Sequence, residues 1–251
     1  MQNKEKVNTG DKIFEFIQKN RKGILIIISS VIILFVAAIV FIAVSEQINK
    51  KAIAAVEEMK IEFDDLISKI TANENSSVND IEDIKIEDTS AKYKTAEFNA
   101  LLEKLLTFSG KNSGFAGSKA WSLIAQIYSL REDWVNAEDA WLNCARVGNK
   151  TYLAPIAFFN AAAAAEEQGK IETAIEHFKK CVAHKFEFPD APRAQFNIGR
   201  LYEQLGNETH ALSAYRDVQI NWTWEKTSSS NPSILIWQNL ARNRIILLEG
   251  K

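Results

Sequence analysis

Soft metal ligands are scarce in this chain. Two cysteines and three histidines are present, and His177, His184 and His210 form no recognisable metal spacing. The histidines read as solvated or capping side chains. Cys144 and Cys181 recur at the same register of successive segments, where stacked helices stand roughly 8–10 Å apart, whereas a disulfide needs alpha carbons within roughly 7 Å. They read as buried free thiols. There is no glycine-rich phosphate loop, no nucleophile elbow and no strand pattern to support either. The acid pairs Glu57-Glu58, Asp64-Asp65 and Glu166-Glu167 fall inside helical segments and read as solvated faces. Net charge is −2, so no basic field points to nucleic acid. No catalytic residue, metal or cofactor is expected, and an enzyme finds no support.

Charge is also missing from one long run. Ile24 to Val44 holds 21 residues without a charge, interrupted only by Ser29 and Ser30. As a helix it spans roughly 31 Å, close to the thickness of a bilayer core. A buried soluble helix is disfavoured because no face is polar. A cleaved signal peptide is the competing reading, since Ala43-Val44-Ser45 is a small-x-small site, but the apolar run is too long and a polar 23-residue stretch precedes it. We read residues 24–44 as an uncleaved single-pass transmembrane helix. Lys19, Arg21 and Lys22 stand directly before it, while Lys50, Lys51 and Lys60 behind it are diluted by acids. The positive-inside rule then makes residues 1–23 a cytoplasmic tail and puts the rest outside the cytoplasm, in the periplasm if the source is bacterial.

Beyond the span, residues 45–72 predict an amphipathic helix whose Val56, Met59, Phe63, Leu66 and Ile70 form one stripe. Two heptads are too few to prefer a dimeric coiled coil over packing on the first helical hairpin. Residues 73–90 are acidic and polar and read as a solvated linker. Residues 91–117 read as a divergent first-hairpin helix with its connection, Leu101, Leu102, Leu105 and Leu106 giving the apolar face.

From residue 118 to 228 the chain repeats itself three times with a step of 37. Ala137, Ala174 and Ala211 keep that step, as do Trp141, Phe178 and Tyr215, and Cys144, Cys181 and Val218. Equal spacing of small and large residues predicts one helical hairpin stacked on its like. Ala125, Ala162 and Gly199 permit close approach of two helices, the aromatics fill the hole between them, and Gly169 and Gly206 end helices. Residues 229–251 read as a terminal capping helix. Trp222 and Trp224 are expected to pack between the third repeat and that cap.

The pattern of aromatic, aliphatic, small residue and tyrosine, then alanine and an aromatic in the second helix, resembles the tetratricopeptide repeat. It departs from the family in its longer step, in Ala165 where tyrosine is expected and in Gln195 where an aromatic is expected. Phe188-Pro189-Asp190-Ala191-Pro192-Arg193-Ala194 looks like the repeat start of extracytoplasmic bacterial members. The layout of anchor and array is similar to the YfgM-like family, ancillary subunits of the Sec translocon that also touch periplasmic chaperones. The resemblance implies an all-α fold, a transmembrane helix followed by an α-solenoid.

It also implies a concave groove lined by leading helices, with Ile156, Phe159, Ala163, Arg193, Phe196 and Arg200 at its positions. Two aromatics and two arginines there would suit a peptide with apolar anchors and an acidic neighbour. Ser122, Phe159 and Phe196 stand where the family's peptide clamp has lysine, so the chaperone-tail activity of that clamp is not carried over. The expected function is a membrane-anchored scaffold for protein–protein interaction at the outer face of a bacterial inner membrane. Its expected partners are translocon components, exported chains or periplasmic chaperones. The alternatives are a cell-envelope assembly or cell-division coordinator, and a structural homo-oligomer dimerised through residues 46–70.

Overall fold

The computed structural model describes residues 9–77, 90–184, 188–222 and 232–250. Trp224 and most of the acidic segment lie outside them. Nine α-helices fall within the described residues, and the chain divides into two units, residues 1–51 and 52–251.

Helix α1 (Thr9–Ser77) supplies the first unit. Every large apolar side chain from Leu25 to Val44 is at least half exposed, Phe41 reaching 73%. An all-round apolar helix that stays exposed suits an apolar solvent, and this one is long and apolar enough to cross a membrane. Its two polar interruptions satisfy themselves: the hydroxyls of Ser29 and Ser30 both donate to the Ile26 carbonyl, at 2.9 and 2.7 Å.

In the second unit α1 continues to Ser77, five residues beyond the expected end at 72. Asn73-Glu74-Asn75-Ser76-Ser77 contains neither glycine nor proline, so nothing stops the helix there. Its stripe is internal: Val56, Met59 and Phe63 are buried with Phe98, Leu101 and Leu105 of α2 (Ala96–Lys111). That packing removes the face a coiled-coil dimer would use. Lys104 of α2 donates to Glu62 of α1 at 2.7 Å. Helix α2 begins after Thr95, whose hydroxyl caps the Phe98 amide, and not at Tyr93, which lies in a short 3-10 turn.

Three helical pairs follow: α3 (Gly114–Leu130) with α4 (Trp134–Val147), α5 (Leu153–Glu167) with α6 (Ile171–Val182), and α7 (Ala191–Gln204) with α8 (Glu208–Asn221). Each leading helix ends identically. Residues Glu132, Gly169 and Gly206, 37 apart, have φ of 57°, 73° and 71°. The next amide bonds back to the carbonyls of Tyr128, Ala165 and Tyr202 at 3.0, 2.9 and 2.8 Å. The following residue caps the second helix in two cases, Asp133 accepting from the Asn136 amide and Asn207 from the His210 amide.

Helix α9 (Pro232–Glu249) buries Ile234, Ala241 and Leu248 against this stack, and Gln238 donates to the Trp222 carbonyl at 3.0 Å. Trp222 is itself buried. A terminal cap ordinarily turns a polar face outward. Instead Leu235, Ile236, Leu240, Ile246 and Leu247 are 40–63% exposed. No further helix covers that face among the described residues.

Candidate partner-binding face

The leading helices α3, α5 and α7 set their inner-edge residues in register. Lys119, Ile156 and Arg193 share one position, Ser122, Phe159 and Phe196 the next, and Gln126, Ala163 and Arg200 the third. The six expected groove residues therefore lie as two triads, on α5 and on α7, but they are unequally free. Ala163 and Arg193 are exposed, and the other four are half-buried.

Phe159 meets Phe178 edge-on at 5.2 Å between ring centroids, and the Arg193 guanidinium lies 4.9 Å above the Phe159 ring and 5.8 Å from that of Trp237. Phe196 sits between Tyr215 at 5.2 Å and Trp237 at 5.4 Å. Arg200 clamps Glu166 through both terminal nitrogens, at 2.7 and 2.6 Å, and that bidentate bond holds its guanidinium above the usual arginine value. The same device recurs one step on, where Arg244 of α9 grips Glu203, which also accepts the Tyr215 hydroxyl. Burial, reinforced by Glu203, raises the Tyr215 phenol well above its ordinary value. The α7 triad is thus engaged by the chain's own residues.

Toward α1 the inner face opens. A cavity of about 510 Å³ lies between Phe63 and Ile67 of α1, Gln126 and Leu130 of α3, Trp134 and Trp141 of α4, and Asn160, Ala163 and Glu167 of α5. Apolar walls with an amide and a carboxylate at the rim can hold an apolar side chain and fix its polar neighbours. Lys119, at the α3 inner edge, is ion-paired to Glu57.

Several residues differ from the sequence reading. Glu57 and Glu166 are bridged, not merely solvated, because each faces a cation on the neighbouring helix. His177 is buried, its Nε2 3.0 Å from Glu138 Oε1, because α6 packs it against α4. Glu138 is itself buried and also accepts from Gln168 at 2.8 Å and Lys170 at 3.3 Å. Burial opposes its ionisation, but the donors from His177, Gln168 and Lys170 prevail and hold its carboxyl below the ordinary value. His210 is exposed in the first turn of α8, its amide donating to the capping Asn207 and its Nδ1 lying 2.8 Å from the same oxygen. His184 stacks on Phe158. Cys144 and Cys181 are buried free thiols, pushed up by burial to about 11 and about 12.

Glu166, Glu203, Trp237, Arg244 and the α1 wall of the cavity were missed. The register carried part of the signal, since Glu166 and Glu203 are 37 apart and one turn beyond Ala163 and Arg200.

Comparison with known proteins agrees with this geometry. The tetratricopeptide-repeat family model matches residues 156–183 and 192–219. A TPR repeat-containing protein of Treponema pallidum (strain Nichols) is 36% identical over 122 residues, 48% of this chain. The chain spans about half the length of that curated relative, 51%. Among solved structures, MamA is 20% identical with a TM-score of 0.40, over 51% of this chain and 70% of its own. A Podosopora anserina kinesin light chain with nearly identical TPR-like repeats is 18% identical with a TM-score of 0.44, over 64% and 83%. The hairpins α5–α6 and α7–α8 thus match the tetratricopeptide-repeat model, in a solenoid that is all-helical among the described residues.

Proposed function

We propose that this chain is a membrane-anchored recruiting scaffold on the extracytoplasmic side of a bacterial inner membrane. Tetratricopeptide repeats mediate protein–protein interaction. The observation that carries the reading is the open cavity beside Ala163, apolar within and polar at its rim, on the inner face of a repeat array whose chain also bears an apolar segment of spanning length. Residues 24–44 confine the array to two dimensions, which raises the effective concentration of weakly held partners. The groove comprises Ile156, Phe159, Ala163, Arg193, Phe196 and Arg200, entered from the open α5 side. The partners are translocon components, exported chains or periplasmic chaperones, as the similarity to the YfgM-like family suggests. The role is non-enzymatic and needs no cofactor.

The test is site-specific photocrosslinking of the full-length protein in cells, with the reactive group at Ala163 or Arg193 on the inner face and at Asp139 or Glu176, exposed residues of α4 and α6, as controls. Adducts with export components from the inner positions alone are expected. Adducts with cell-wall or outer-membrane assembly factors would replace the export reading with the coordinator reading. Adducts confined to the controls would overturn the groove.

A further inference from the structure

We infer that the outer face of α9 pairs with α9 of a second copy of this chain. Ile236, Leu240, Asn243 and Leu247 are spaced four, three and four, so they form one straight stripe on the side away from the stack. Leu235, Asn239 and Ile246 run beside it. The five apolar members are 40–63% exposed.

The occupant follows from the two asparagines. Asn239 and Asn243 are exposed at the middle of this face, and neither amide has a partner among the described residues. A bilayer surface is a poor match, because seating the leucines in acyl chains would bury both amides without partners, and Arg242 is the face's only exposed cation among the described residues. An identical helix is a good match. A carboxamide both donates and accepts, so it satisfies its own copy across a two-fold axis, and one polar residue within an apolar seam is the usual device for fixing the register of paired helices. A specific interface needs on the order of 1,000 Å² in total, so the pairing must cover the five part-exposed side chains of each copy together with the amides and their flanks. This pairing differs from the dimer expected through residues 46–70, whose stripe is spent inside the fold.

The experiment uses full-length protein in native membranes. Asn243→Cys is oxidised mildly and the disulfide-linked dimer is quantified, with Glu176→Cys as the control on another face. The native thiols are buried and do not compete. Pairing gives a dimer yield at least about tenfold above the control, because it places the two thiols at high effective concentration. Adding Leu240→Glu and Leu247→Glu removes that excess while circular dichroism stays unchanged. Equal yields at both positions would overturn the inference, as would an adduct of the Asn243→Cys protein to a different polypeptide. So would quenching of a fluorophore on that cysteine by bromolipid in phosphatidylglycerol vesicles, which would put the face on the bilayer.

Discussion

Tyr215 is fully buried with its ring against Gly199, and a Cβ at residue 199 would stand 2.6 Å from the ring carbon Cε1. Gly199→Ala is expected to cost about 1–3 kcal/mol, read as a lower midpoint in urea unfolding. Glu132 is the converse case. It holds a left-handed backbone where the next two repeats place Gly169 and Gly206. Glu132→Gly is expected to raise stability by about 1 kcal/mol, measured as an upward shift in Tm. The pairing of small residue and aromatic was legible in the sequence, because register alone brings Gly199 to Tyr215 and Ala162 to Phe178. The clamp of Arg200 on Glu166 was not. It joins residues 34 apart on different helices, and its geometry depends on how far α7 is displaced from α5.

At the scale of elements, α4, α5 and α6 are locked by Glu138. Its carboxyl has a depressed value in the folded chain, so the stability it contributes is fully present above about pH 4.5, its ordinary value, and is lost as the pH falls through the folded value. Glu138→Ala leaves the buried His177 Nε2 without its acceptor, while Gln168 keeps the Trp134 and Ala164 carbonyls, and it is expected to cost about 1–3 kcal/mol at neutral pH. The same variant flattens the acid limb of a Tm-against-pH profile, and an unchanged limb would show that other carboxylates set it. Helix identities were legible from periodicity, and most boundaries from glycines and caps. The exceptions were α1, where no breaker marks residue 73, and His177, whose neighbour Glu138 is fixed by packing, not spacing.

Across the repeat-bearing unit, buried side chains gather in successive clusters, the first around Val56, Phe98 and Ile124, the second around Phe178 and Leu201, the third around Tyr215 and Ala241. Each helical pair touches chiefly its neighbours, as a linear array requires. Leu101→Ala, at a fully buried site in the first cluster, is expected to cost about 2–5 kcal/mol locally. Hydrogen exchange should quicken in α2 and α3 and hardly at all in α8 and α9. The array was legible because its residues recur. The apolar back of α9 was not, since a single helix following repeats reads as a cap and its exposed residues lie outside the repeated pattern.

The bridges Glu166–Arg200 and Glu203–Arg244 each tie one inner helix to the next along the same edge. Their ions are part-exposed, with Arg200 at 41%, so dissolved salt screens them, while the apolar contacts behind them are untouched. Brine therefore loosens these two ties between successive inner helices and spares the packing beside them.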